Sequence, residues 1–291
     1  MNNDQESAMI ERLSGWGEGQ PLVRAMLLTS SRAIPGAPVD VFSDYDVILV
    51  LLDILPYHED RTWLEAFGRV LALYRDPIES YLGFPKSTNV TQYEDGLKID
   101  FTLWPVEILR KIVATSELPD ELDAGYRILL DKDGLTVGLE PPTYRAYIPH
   151  KPSESEYQAA VEQFFLEAVY VAKFLRRDDL IAAKHVLDHY MKQESLLRML
   201  EWRVEIDHAW ALRPGLYGQR LKKWLRHDLW VAFEKTYTGA GLEANWRALF
   251  RSTTLFRKVA SEVGEQLGYA YPGELDRHAI AYFYQIKKMV S

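Results

Sequence analysis

There is no cysteine among the 291 residues, which removes disulfide frameworks, thiolate metal sites and cysteine nucleophiles from consideration. Positive charge is scarce too: 34 Lys and Arg stand against 42 Asp and Glu, a formal net charge of −8. A protein of this sign repels duplex nucleic acid and attracts cationic small molecules. No stretch approaches the roughly 20 apolar residues of a membrane span, and the opening "MNNDQESAMIERL" carries no apolar signal segment. The expectation is a cytoplasmic protein without nucleic-acid or membrane partners, either a monomer or a weak homodimer. What is present can fill real cores: 47% of residues are hydrophobic and 12% aromatic, over a length that suits two domains.

The first half mixes two periodicities. "AMIERLSGW" reads as helix, "LVRAMLLTS" as strand, and "DVILVLL" is a short continuous apolar run typical of a strand covered on both faces. In "DRTWLEAFGRVLALY" the residues Trp63, Phe67, Val70, Leu71 and Tyr74 recur at helical spacing, which predicts an amphipathic helix with a core-facing stripe. "NVTQYEDGLKIDFTLWP" sets Asp95-Gly96 between two alternating runs, a hairpin signal. The second arm places Leu97, Ile99, Phe101 and Leu103 on one face, and Lys98, Asp100, Thr102 and Trp104 on the other. The prolines of "LEPPTYRAYIPHKP" (139–152) then mark a linker. Beyond it, Ser153 and Glu156 form a capping box, and five long segments of helical period follow, the last running to Val290. The fold class is therefore α+β: residues 1–148 build a mixed sheet flanked by helices, and residues 149–291 an all-helical bundle of five or six helices.

Chemistry concentrates at "TSSRAIPGAPVDVFSDYDVILVLLD" (29–53). Residues i and i+2 of a strand share a face, so Asp44 and Asp46 present two carboxylates together while Tyr45 points away. Each raises the cost of ionising the other, so something positive should lie between them. Hard divalent cations need such oxygen ligands, and Mg²⁺ is usually held by one or two carboxylates plus substrate phosphates. Asp100, mid-strand on the polar face of the hairpin, would complete a two-metal clamp for an in-line phosphoryl-type displacement. Upstream, the hydroxyls, backbone N–H groups and guanidinium of Thr29, Ser30, Ser31 and Arg32 would suit a triphosphate tail.

"SSR", "DVFSDYDVILVLLD", "WLEAFG", "DGLKIDFTLWP", "LLRMLEWRV" and "LFRKVASEVGEQLGYAYP" together resemble the aminoglycoside 6-adenylyltransferases (streptomycin adenylyltransferases) of the DNA polymerase β-like nucleotidyltransferase superfamily. The resemblance spans nearly the whole chain. It implies Mg²⁺-dependent transfer of AMP from ATP to a hydroxyl of streptomycin, with release of pyrophosphate and, biologically, antibiotic resistance. It assigns Ser31 and Arg32 to the phosphates, with Ser30 standing where the family has glycine. It assigns Asp44 and Asp46 to the metals and makes Asp100 either a metal ligand or the base on the attacking hydroxyl. In "YGQRLKKWL", Arg220, Lys222 or Lys223 would reach the departing pyrophosphate. Streptomycin carries guanidinium groups, so its cleft needs carboxylates and flat aromatic surfaces. Asp188 and Glu194 are the candidates, with Glu194 also a candidate general base. His185 and His189, four residues apart without an HExxH glutamate, belong to a helix surface, and most of the tryptophans to the core. The alternatives are transfer to another small hydroxylated acceptor, and a non-catalytic nucleotide-binding member of the fold. Action on RNA ends fits the aspartates but not the net charge.

Overall fold

Residues 3–212 and 216–289 are described by the computed structural model, and the chain divides between Tyr147 and Ile148 into two units. The first opens with helix α1 (Asn3–Glu18) and is built on strands β1 (Val23–Thr29), β2 (Tyr45–Leu51), β3 (Val70–Arg75), β4 (Glu79–Tyr81), β5 (Phe84–Tyr93), β6 (Lys98–Pro105) and β7 (Tyr126–Asp131). Short helices α2 (Leu55–Glu59) and α4 (Asp120–Asp123) and the longer α3 (Val106–Thr115) lie between them in sequence. The sheet runs in the order β3-β5-β6-β2-β1-β7, with β4 paired to β5. Only the central β2–β6 pair is parallel, so the sheet is mixed.

The apolar run of β2 has the predicted cause. Tyr45, Val47, Leu49 and Leu51 join Ile99, Phe101 and Leu103 of β6 in a core completed by Leu13 of α1. Ile48 and Val50 join Ala25, Leu27, Trp104 and the α3 residues Ile108, Leu109 and Ile112 in a second core on the opposite face. Burying each such aliphatic side chain contributes about 1.5–3 kcal/mol. The two cores fix the register of β2 from both sides, because a one-residue slip would exchange all of these side chains.

One expectation fails. The stretch 60–74 is not an amphipathic helix: it is a 3₁₀ turn, Thr62–Phe67, followed by the edge strand β3. Gly68 separates them at φ 144° and ψ 178°, a conformation essentially restricted to glycine. After it the chain pairs with β5, and Leu71 and Tyr74, expected in the core, are 64% and 63% exposed. The helical spacing was real, but glycine and a ready partner strand overrode it.

The second unit is helical, with α5 (Glu154–Arg176), α6 (Leu180–Lys184), α7 (Leu197–Asp207), α8 (Leu221–Trp224), α9 (His227–Glu234), α10 (Leu242–Leu267) and α11 (Gly273–Lys288). The capping box forms at α5: Ser153 Oγ accepts from the Glu156 N–H, and the Ser153 N–H donates to Glu156 Oε2 at 2.7 Å. Between α6 and α7 the helix continues as a π-helical stretch, His185–Leu196. Such wide turns are rare and cluster at functional sites. Val290, the end of the expected last helix, lies outside the described residues. No helix among the described residues is long and apolar enough to cross a membrane.

A Cβ added at Gly68 would also meet the Tyr93 ring at 3.2 Å. Gly68→Ala should therefore lose about 1–3 kcal/mol, read as a lowered Tm; an unchanged Tm would show that the turn tolerates another backbone path.

Candidate active site

The parallel pairing of β2 with β6 sets Asp46 directly beside Asp100. Both residues lie on the face that continues through Ile48, Val50 and Trp104 into the α3 core. The strand begins at Tyr45, so Asp44 sits in the loop just ahead of it. That loop is built locally: the Asp40 carboxylate accepts from the Phe42 N–H at 2.9 Å, and Ser43 Oγ accepts from the Asp40 N–H at 2.9 Å.

Arg32 has a different job from the one expected of it. Its side chain is 1% exposed. Its guanidinium donates to the backbone carbonyls of Asp44 (2.8 Å) and Ser43 (2.6 Å), pairs with Glu6 of α1 (3.3 Å), and stacks 3.9 Å from the centre of the Tyr45 ring. A guanidinium committed in this way fastens the Asp44 loop to the sheet rather than offering itself to phosphates. Ser30 and Ser31 are less enclosed, in the 3₁₀ turn Ser30–Arg32 that follows β1. Ser30 adopts φ 56°, the left-handed region that favours glycine. The nearby Ser30 hydroxyl favours the charged form of Asp46.

The group that sequence reasoning missed is Lys98. Its Nζ lies 2.5 Å from Asp44 Oδ2 and 2.8 Å from Asp100 Oδ2. The signal was available, since alternation along β6 puts Lys98 on the face of Asp100. The positive charge required between the aspartates is therefore supplied, at this position, by the chain itself. Asp46 receives less help. Burial pushes its carboxyl up to about 6, with the charges of Asp100 and Asp44 adding to the rise and the Ser30 hydroxyl and Lys98 opposing it. Asp100 is also raised, by burial first and by Asp44, against the pull of Lys98.

With Lys98 standing between Asp44 and Asp100, no three acidic or imidazole groups among the described residues have the spacing of ion ligands. The donors nonetheless suit a hard divalent cation. They are all carboxylate oxygens, two of the three already share a positive charge, and Asp100 Oδ1 is buried with no hydrogen-bond partner of ordinary geometry. An open cleft of about 640 Å³ is lined by Asp44 and Lys98, with Arg32, Phe42, Gln92 and Asp95 among others; Asp46 and Asp100 are not part of its lining.

A family model described as streptomycin adenylyltransferase matches residues 3–286. The chain belongs to the streptomycin adenylyltransferase family. An aminoglycoside 6-adenylyltransferase of Bacillus subtilis (strain 168) is 28% identical over 276 residues, covering 94% of each protein. One from Campylobacter jejuni is 30% identical over 253 residues, covering 86% of this chain and 85% of its own. Among solved structures, an aminoglycoside 6-adenyltransferase from Bacillus subtilis is similar at 24% identity and a TM-score of 0.48, with 97% of both chains covered.

The remaining candidates lie in the helical unit of this streptomycin adenylyltransferase family member. Asp188 is not an open carboxylate. Lys184 and Lys192 contact it at 2.5 and 2.6 Å. Burial works against its charge, but the two ammonium groups more than offset that and hold it below the usual carboxylate range. Both partners are four residues away along the helix, so the neutralisation was legible in the spacing. Glu194 is partly exposed and lies 3.3 Å from His189. His185 and His189 stack on each other with ring centres 5.7 Å apart, as a helix-surface pair. Lys222 is exposed, with its Nζ 3.9 Å from Glu234 and 5.3 Å from the centre of the Trp230 ring. Arg220 is exposed at the start of α8. Trp104 and Trp202 are core residues, and Trp63, Trp210 and Trp224 pack against the core.

Because the folded carboxyl of Asp46 titrates above its unfolded value, the folded state binds its proton more tightly. Ionising it subtracts stability as pH rises from about 4 to about 6, by roughly 2–3 kcal/mol in all. Asp46→Asn should accordingly gain Tm over the native chain at pH 8 and lose that advantage by pH 4. A pH-independent difference would mean that Asp46 ionises normally.

Proposed function

We propose that this chain transfers the adenylyl group of ATP to a hydroxyl of an aminoglycoside, streptomycin first among them, releasing pyrophosphate. The observation that carries the reading is the convergence of Asp46 with Asp100 across β2 and β6, and of Asp44 with Asp100 on Lys98, with Asp44 and Lys98 lining an open cleft, within a chain matched along its length by the family model. The names of the relatives supply the acceptor class.

In this reading the protein contributes position and charge more than covalent chemistry. Asp44, Asp46 and Asp100 would hold Mg²⁺, which supplies positive charge against the triphosphate and acidifies the acceptor hydroxyl. Arg32 fixes the loop that presents Asp44. The hydroxyls of Ser30 and Ser31 are proposed to face the phosphates. Serine in place of the family glycine therefore keeps the turn and adds a donor, which favours a working enzyme over a non-catalytic relative. Glu194 on the π-helical stretch is the carboxylate proposed to take the proton of the acceptor hydroxyl. Arg220 and Lys222 are proposed to meet the pyrophosphate. For the cationic acceptor, the helical unit has a hollow of about 290 Å³ lined by Tyr217, Trp230, Phe233, Tyr237 and Glu234 among others. Aromatic faces and a carboxylate are what a guanidinium-bearing sugar requires.

The test is pyrophosphate release with ATP, Mg²⁺ and streptomycin, with mass spectrometry of the drug in parallel. A mass gain of one adenylyl group is expected, and Asp46→Asn should lower turnover on the order of 10²–10³-fold or more while remaining folded. No product from any of a panel of aminoglycosides would contradict the assignment.

A further inference from the structure

Lys98 combines features not needed by a merely structural lysine. It stands two residues ahead of Asp100 on β6, and its ammonium takes one oxygen from each of two carboxylates, Asp44 Oδ2 and Asp100 Oδ2. It is partly exposed, at 28%, and lines the 640 Å³ cleft. A cation shared by all three aspartates would need the oxygens that Lys98 now occupies, and two positive centres cannot hold them together without strong repulsion. The lysine stem is long and flexible, so the ammonium can leave into the cleft. Arg32 cannot stand in for it at the phosphates, being buried and committed to the loop carbonyls.

Building on the proposed nucleotidyl transfer, we propose that Lys98 is an exchangeable counterion: it holds Asp44 and Asp100 together until a divalent cation and the nucleotide arrive, and then passes its charge to the phosphate chain. The cluster is thus spared the repulsion of its own carboxylates before substrate binds, and the phosphates gain a cation that the Ser30–Arg32 turn does not provide. Metal binding is weakened by this internal competitor, and phosphate binding is strengthened by it. The two affinities must therefore move in opposite directions when the lysine is removed. A lysine that only stabilises the strand would move both downward.

The experiment is Mn²⁺ binding by electron paramagnetic resonance without nucleotide, and Mg²⁺-pyrophosphate binding by calorimetry, on the native chain and on Lys98→Met. Lys98→Gln serves if the methionine variant does not fold. Mn²⁺ should bind on the order of tenfold or more tightly in the variant, and pyrophosphate on the order of tenfold more weakly. Lys98→Arg, which keeps the charge, should stay near the native values for both. Affinities that fall together, or stay unmoved, overturn the exchange while leaving the transfer reading intact. Unchanged pyrophosphate binding with tighter Mn²⁺ also overturns it, since the ammonium would then retire to another acid such as Asp95. Absence of Mn²⁺ binding by both the native chain and Lys98→Met, with pyrophosphate present as well as without it, overturns both.

Discussion

Repulsion among carboxylates crowded at one end of a sheet is the constraint around which the first unit is organised. Asp46 and Asp100 are neighbours because β2 and β6 run parallel and in register, and that register is held by apolar side chains buried on both faces. The hydrophobic energy of two cores thus forces together charges that would separate if free to do so. The raised carboxyl of Asp46 and the unpartnered Oδ1 of Asp100 record the strain of that arrangement. Sites that violate ordinary electrostatic preference in this way are expected where function has been selected over stability.

The surrounding polar groups divide the work of containing this charge. Arg32 acts through backbone carbonyls and so fixes where Asp44 is without neutralising its carboxylate. Lys98 acts on the carboxylates themselves. Ser30 accepts a left-handed backbone, and its hydroxyl favours the charged form of Asp46. In the helical unit the charges are spent differently: Asp188 is fully answered by Lys184 and Lys192, leaving Glu194 as the more available acid on the same π-helical stretch.

Much of this was legible in the sequence because it rests on short-range rules. Strand alternation put Asp100 on the polar face of β6, the Asp95-Gly96 turn fixed the hairpin, and Ser153 with Glu156 marked the start of α5, whereas Asp44, expected within the strand, lies in the loop before it. What escaped depends on partners distant in the chain or on backbone geometry. Arg32 could be read as a phosphate ligand only while Glu6, Tyr45 and the Ser43 carbonyl were not known to surround it. The segment 60–74 kept a helical spacing yet became a turn and a strand, since Gly68 and the open edge of β5 decide its path. The π-helical stretch has no periodic signature separate from that of its flanking α-helices.

The most direct test of the central claim is a carboxyl ¹³C NMR titration of Asp46, first without divalent ions and then with Mg²⁺. The account predicts a midpoint near about 6 in the first case and a fall of the midpoint when Mg²⁺ is added, because a cation on the carboxylate favours its charged form. A midpoint at the ordinary aspartate value, or one that Mg²⁺ does not move, would contradict the reading of this cluster as a strained site built to receive a divalent cation.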